Sequence, residues 1–209
     1  MPIRAVSLAS LFYLLVGIGA APGFDLTEDR ELRAGPTEAA PSLATLSVGD
    51  SVTQFRCRET DGDRWCLIAA GTAIGWVPAE TLSEGRQEPA IREGLLDSVW
   101  TVAHLQAEPP SLIEAPWIGF VQGRAGGFAG CNRFEAPFGT AENDEIHFSP
   151  LALTRKACPG RMEAIERRFV GAIWAARYWA ASEDAMALLD GDGRILAGFV
   201  RRDGEAIDQ

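Results

Sequence analysis

Residues 52–70 read VTQFRCRETDGDRWCLIAA, and this stretch decides how the first half of the chain folds. It contains two β-prone segments around Asp61-Gly62, a dipeptide typical of two-residue hairpin turns. Pairing outward from that turn places Cys57 opposite Cys66. The position is a non-hydrogen-bonded one, where Cα atoms are about 4.5 Å apart and side chains approach most closely. The spacing therefore predicts a Cys57–Cys66 disulfide across the hairpin.

The other cysteines of the chain are Cys131 and Cys158, which makes an even total of four. Four cysteines allow three pairings, and a bridge across the hairpin leaves Cys131 to pair with Cys158. Buried free thiols would instead suit a cytosolic protein. A zinc site would require clustered C-x₂-C or His spacing, and the chain has only 2 His. We expect two disulfides and no metal site.

Residues 1–23 are predicted to be a secretory signal peptide. Arg4 precedes an apolar run that reaches Ile18, and small residues follow it. Cleavage is expected between Ala20 and Phe24, although an uncleaved membrane anchor is the alternative. The pattern predicts a periplasmic or secreted protein that meets the membrane only through this segment before cleavage.

The charge of the chain excludes one class of partner. The formal net charge is −10 and the sequence pI is about 4.7. An acidic surface repels phosphate backbones, so nucleic acid is not an expected partner. Cationic partners remain compatible with this balance.

Residues 28–83 are predicted to form a small β-barrel, because several short β-segments follow one another between turn residues. The segments LRAGPTEAAPSLATLSVGDSVTQF (32–55), DGDRWC (61–66) and GWVPAETL (75–82) resemble a bacterial SH3-like (SH3b) domain. That resemblance implies a binding module associated with cell-wall peptidoglycan. Trp65 and Trp76 are the candidate ligand-binding residues, since an indole face can stack on a sugar ring. The alternative is that both are half-buried barrel residues.

Residues 84–94 are polar, contain Pro and Gly and are predicted to be a linker. Residues 95–202 are predicted to form an α+β domain, an antiparallel sheet with one main helix. The helix is indicated by Met162, Ile165, Phe169 and Ile173, which recur at three- and four-residue steps. The predicted fold class of the whole chain is therefore mainly β.

The second domain resembles the META domain, the family that includes the HslJ-like proteins of bacteria. The matching segments are LLDSVWTV (95–102), GCNRFEAPF (130–138), LALTRKACPG (151–160) and ALLDGDGRILAGF (187–199). The resemblance implies envelope or secreted proteins concerned with envelope maintenance or stress. It supplies no catalytic residue.

No catalytic constellation is predicted, and no cofactor is expected. His104 and His147 lie far apart in sequence, and cysteines paired in disulfides supply no nucleophile. Asp190-Gly-Asp-Gly lacks the later ligands of a calcium loop, because the corresponding places hold Arg194 and Arg201. It is read as a hairpin turn, and the Gly-rich segment GRAGGFAG (123–130) as tight turns and a bulge.

Asn132 and Arg133 are the candidate binding residues of the second domain. They follow Cys131, while Thr154, Arg155 and Lys156 precede Cys158, so the second bridge would gather these polar groups into a patch. The alternative is that Asn132 caps a backbone turn.

The sequence as a whole predicts a non-enzymatic, exported cell-envelope protein with peptidoglycan or an envelope protein as its partner. The alternative is a secreted inhibitor or adaptor that binds a protein such as a wall-degrading enzyme. An enzyme acting on the cell wall is the third and least favoured hypothesis.

Overall fold

The computed structural model describes residues 24–83 and 95–202. The predicted signal peptide (1–23) and linker (84–94) lie outside these residues. The described chain is mainly β-strand with one main helix, which confirms the predicted fold class. It contains two antiparallel sheets, one in residues 24–83 (the N-terminal unit) and one in residues 95–202 (the C-terminal unit).

The N-terminal unit is a six-stranded sheet in the order β1-β4-β5-β6-β2-β3. A short 3₁₀ turn, Ala79–Thr81, follows the last strand. The strands are β1 (Phe24–Asp25), β2 (Arg30–Arg33), β3 (Ser42–Leu46), β4 (Ser51–Thr60), β5 (Asp63–Ala70) and β6 (Ala73–Pro78).

The hairpin of β4 and β5 has the predicted turn and register. Asp61 and Gly62 have φ angles of 55° and 92°, both in the left-handed region. Gly62 adopts this conformation without a steric penalty because it has no Cβ. Cys57 pairs with Cys66 across the strands. The disulfide joins Cα atoms 4.0 Å apart. The predicted hairpin bridge, Cys57–Cys66, is confirmed.

The C-terminal unit is a nine-stranded sheet in the order β11-β10-β9-β8-β7-β15-β14-β13, with β12 paired to β10. Its two end strands meet, because the Ile146 amide donates to the Arg177 carbonyl oxygen at 2.9 Å. The sheet is therefore a nearly closed barrel. The strands are β7 (Ser98–Leu105), β8 (Trp117–Val121), β9 (Arg124–Phe128), β10 (Arg133–Thr140), β11 (Ile146–Phe148), β12 (Ala152–Leu153), β13 (Tyr178–Ala181), β14 (Ala185–Leu189) and β15 (Ile195–Arg201).

The helix α1 (Gly160–Ala175) packs against this barrel. Ile165, Phe169 and Ile173 are buried, as the helical spacing predicts, and they join the core of the C-terminal unit. The second bridge, Cys131–Cys158, ties the start of α1 to the segment before β10 and joins Cα atoms 6.1 Å apart. This loop bridge is also confirmed.

The Gly-rich segment 123–130 corrects one expectation. It contains a regular strand, β9, rather than only turns and a bulge. A Cβ on Gly127 would lie 2.1 Å from the Trp117 carbonyl oxygen, so glycine is needed for the close approach of β8. Turns lie at both ends of this strand, at Gln122-Gly123, where both φ angles are positive, and at Gly130, where φ is 106°.

Candidate functional site

Strands β5 and β6 are buried on both faces, and this places the two units in contact. On one face Cys66, Ile68 and Val77 belong to the core of the N-terminal unit. On the other face a second set packs against the C-terminal unit: Trp65, Leu67, Ala69, Ile74 and Trp76 contribute from one side, and Ala180, Ala185, Ala187, Leu189 and Ile195 from the other. The three small alanines leave room for the two indoles.

Backbone and indole hydrogen bonds complete this apolar interface. The Trp76 indole Nε1 donates to the Gly193 carbonyl oxygen at 2.8 Å. The Ile195 amide donates to the Ala34 carbonyl oxygen at 2.7 Å. Polar groups enclosed by the contact are thereby paired, which fixes one relative position of the two units.

Arg56 anchors a second part of the interface. Its guanidinium donates to the Asn143 carbonyl oxygen at 2.7 Å and lies 2.8 Å from the Asp144 carboxylate. It also lies over the Tyr178 ring, with its central carbon 4.7 Å from the ring centroid. Arg56, Arg58 and Trp65 share one face of the hairpin, so that face of the N-terminal unit is committed to the C-terminal unit.

Trp65 and Trp76, the candidate ligand-binding residues of the N-terminal unit, are buried, which is closer to the alternative that both are half-buried barrel residues. Their side chains are 2% and 1% exposed. Both indoles cover the C-terminal unit, and neither presents a ring face to a ligand. A sequence signal for this exists in WCLIA at 65–69. An antiparallel strand with one solvated face alternates apolar and polar residues, whereas this run is apolar throughout.

Beside this interface lies a cleft of about 710 Å³ with walls from both units. One wall is the loop between β2 and β3, from Gly35 to Pro41. Another is the end of the hairpin, with Arg58, Thr60 and Asp61. The third is the turn between β14 and β15, together with Gln106.

The cleft carries charges of both signs. Arg58 and Arg194 provide the cations, and Asp61, Asp190 and Asp192 provide the carboxylates. One of these charged side chains, Asp190, has a structural role. The Asp190 Oδ1 accepts the backbone N–H groups of Asp192 and Arg194, both at 2.9 Å, which confirms the predicted hairpin turn.

Two further details concern the side chains of Thr60 and Arg58, which line the cleft. The Thr60 hydroxyl is buried and has no hydrogen-bond partner among the described residues. Gly193 has a φ of 82°, and a Cβ there would lie 2.8 Å from the Arg58 Nη1. A side chain at 193 would therefore displace the Arg58 guanidinium. The Arg58 guanidinium offers hydrogen-bond donors to a polar ligand.

Asn132 lies outside the cleft, in a buried polar network beside the loop bridge. Its side chain is 7% exposed. Its amide nitrogen Nδ2 and backbone N–H donate to the Glu166 carboxylate at 3.2 and 2.6 Å. Its Oδ1 accepts the Thr154 hydroxyl at 2.8 Å and the Lys156 amide at 2.7 Å. These bonds join β10, the 154–156 segment and α1, so the geometry favours a structural role for Asn132. The Arg133 side chain is exposed.

The two histidines each lie flat against a glycine on a neighbouring strand. The His104 ring covers Gly198 and the His147 ring covers Gly139. His104 Nδ1 is buried without a partner among the described residues. Burial lowers the pKa of His104 to about 4. Neither ring is positioned beside a nucleophile, and a neutral His104 fills the space above Gly198 as an aromatic residue would.

Residues 24–83 and 95–202 contain no group of three or more His, Cys, Asp or Glu side chains placed to hold a metal ion. Over the same ranges, no helix has the length and apolar character needed to cross a bilayer.

The fold and the site define a disulfide-bonded β-protein in which a nearly closed antiparallel barrel with one helix packs against a smaller sheet. The chain belongs to the META domain family, whose family model matches residues 93–203. This match confirms the META resemblance stated from the sequence. No curated protein matches the chain.

Two solved structures resemble part of the chain. One is the NMR structure of a protein from Burkholderia xenovorans, with a TM-score of 0.45 and 18% identity over 58% of this chain and 99% of that chain. The other is the crystal structure of a DUF4847 family protein from Bacteroides vulgatus. Its TM-score is 0.43 and its identity 12%, over 56% of this chain and 100% of that chain.

Proposed function

We propose that the chain is an exported, non-enzymatic cell-envelope protein that binds a cell-wall ligand in the cleft between a bacterial SH3-like domain and its META domain. Membership of the META family supports a role related to the envelope or to stress. Two disulfides and the sequence of residues 1–23 support export to an oxidising compartment such as the periplasm.

The observation that carries the proposal is the mixed charge of the cleft. Peptidoglycan fragments combine sugar hydroxyl and amide groups with peptide carboxylates and ammonium groups. Arg58 and Arg194 suit the carboxylates, while Asp61 and Asp192 suit the ammonium groups. A volume of about 710 Å³ lies within the usual range for small-molecule sites.

Sedimentation with purified peptidoglycan, followed by calorimetry with soluble muropeptides, tests this function. Arg58→Ala removes a charged hydrogen-bond donor from the cleft, and we expect binding to weaken about 10- to 100-fold. Arg64→Ala is the matched control, because Arg64 is an exposed arginine on the opposite face of the same hairpin. Equal losses in the two variants, or no binding by the unaltered protein, would refute a ligand site in this cleft.

A protein-binding inhibitor or adaptor is the second candidate, and the net charge of −10 favours it. In that case a basic wall-degrading enzyme, such as a lysozyme, would be captured at low salt and released at high salt. Arg58→Ala would then leave capture of the enzyme unchanged, and muropeptides would not bind to the unaltered protein. That result would replace the cell-wall ligand with a protein partner.

A further inference from the structure

Four exposed cations gather around the loop bridge of this acidic chain. They are Arg133, Arg155, Lys156 and Arg161, which we call the basic edge. Arg161 lies three residues after Cys158, and Arg133 lies two residues after Cys131. Within the described part of the chain, no side-chain hydrogen bond or ion pair holds any of the four.

The backbone beneath the basic edge is fixed even though the side chains are free. The Thr154 amide donates to the Arg133 carbonyl oxygen at 3.0 Å, and the Arg133 amide donates to the Thr154 hydroxyl at 3.2 Å. The Lys156 amide is held by Asn132 Oδ1 at 2.7 Å. The cations therefore project from β10, the 154–156 segment and the start of α1, which the disulfide and the hydrogen bonds of Asn132 keep together.

The acidic residues that border the basic edge are mostly engaged elsewhere. Glu135 pairs with Arg124, and Glu163 lies 3.8 Å from Arg167. The Glu166 carboxylate accepts the two Asn132 hydrogen bonds. The surface is consequently positive, although the chain as a whole carries −10.

Two exposed apolar side chains lie near the disulfide that the basic edge surrounds. Leu153, which pairs with Phe134 next to Arg133, is 38% exposed. Ile113 is fully exposed, and the preceding Leu112 lies against Gly130, next to Cys131. Glu114 follows Ile113, and Glu108, the other acidic residue of this loop, is paired with Arg168.

We propose that the basic edge docks the META domain onto an anionic lipid surface. Long, unpaired cations on an outer edge suit a plane of phosphate headgroups. A site for a soluble anion would instead have buried donors that converge on one point. Leu153 and Ile113 can enter the headgroup region beside them. The acidic remainder of the chain is repelled by the same surface, so the membrane orients the protein with the basic edge towards it. This inference does not depend on the cleft ligand.

Vesicle sedimentation tests the proposal with phosphatidylglycerol-containing vesicles and with pure phosphatidylcholine vesicles. Each cation near an anionic bilayer strengthens binding about fivefold. Arg155→Glu with Lys156→Glu should therefore weaken binding to the anionic vesicles more than 100-fold. Arg64→Glu with Arg177→Glu is the matched control. It changes the net charge equally at exposed arginines outside the basic edge, and it should retain most of the binding.

Binding that depends on phosphatidylglycerol and is lost in 1 M NaCl supports docking, because salt at that concentration reduces the Debye length to about 3 Å. Circular dichroism confirms that each variant is folded. Equal weakening by both double variants would attribute binding to net charge and overturn the proposal. Equal binding to both vesicle types, or binding of a soluble polyphosphate without vesicle binding, would also overturn it.

Discussion

Trp76→Phe is the sharpest perturbation of the contact between the two units. The indole Nε1 donates at 2.8 Å to the carbonyl oxygen of Gly193, a buried residue of the C-terminal unit. Phenylalanine keeps an aromatic ring in the same place but removes this donor. The substitution therefore tests a hydrogen bond between the units with little change to the N-terminal core.

The expected loss can be estimated from two contributions. Leaving the Gly193 carbonyl oxygen without its partner costs about 1–3 kcal/mol, and the smaller ring forfeits about 1 kcal/mol of packing. The free energy of unfolding should fall by about 2–4 kcal/mol. For a chain of this size that corresponds to a decrease in Tm of roughly 5–15 °C. Trp174→Phe is the control, since Trp174 is 48% exposed and its replacement should cost less than about 0.5 kcal/mol.

Thermal unfolding and hydrogen exchange together measure this effect. If the units stabilise each other, the unaltered protein unfolds in one transition. Exchange of amides in β14, on the far side of the interface, should then accelerate in Trp76→Phe. Two separate transitions, with β14 protected as before and only residues 24–83 destabilised, would refute the coupling.

Three further predictions concern the C-terminal unit and the bridges. Burial holds the pKa of His104 near 4, below its unfolded value of about 6.5. Between these two values the unfolded state binds one more proton than the folded state, so the free energy of unfolding falls as pH decreases from about 6.5 to 4. His104→Phe should remove about 2–3 kcal/mol of that pH dependence in denaturant titrations, whereas His147→Phe should retain it. Asn132→Leu should destabilise the protein by about 2–4 kcal/mol, because it leaves several buried hydrogen-bonding groups without a partner. Arg133→Ala should unfold with the Tm of the unaltered protein. Replacing the loop bridge by serines should cost about 3.5 kcal/mol and replacing the hairpin bridge about 2.6 kcal/mol, since their cysteines are 27 and 9 residues apart; equal losses would contradict the loop-length argument.

Local signals account for what the sequence could predict. The Asp61-Gly62 turn fixes the register of its hairpin, and that register places Cys57 opposite Cys66 without reference to the rest of the fold. The helix is predicted for the same reason, because Ile165 and Phe169 mark one face over consecutive turns. Each of these features depends on residues close together in the chain.

The cleft and the interface depend on contacts between distant residues, and no short pattern identifies them. Trp76 and Gly193 are 117 positions apart. Arg58 and Thr60 acquire their surroundings only when the turn near Asp190 is placed beside them. The apolar run at 65–69 is typical of a strand covered on both faces, but it contains no information that the second cover is the META domain.

The shared interface changes how the N-terminal unit should be regarded. A freely moving binding module would keep a polar outer face on its sheet, yet β5 and β6 present Trp65, Leu67 and Trp76 to the C-terminal unit. Separating the units would expose these side chains together with the alanine face of β13 and β14, an apolar patch of the kind that causes association. Deleting residues 28–83 would therefore alter the META domain as well as remove a candidate binding site. Loss of peptidoglycan binding in such a deletion would not locate the site, whereas Arg58→Ala changes a single cleft residue and Arg64→Ala, on the opposite face of the hairpin, controls for the loss of one arginine.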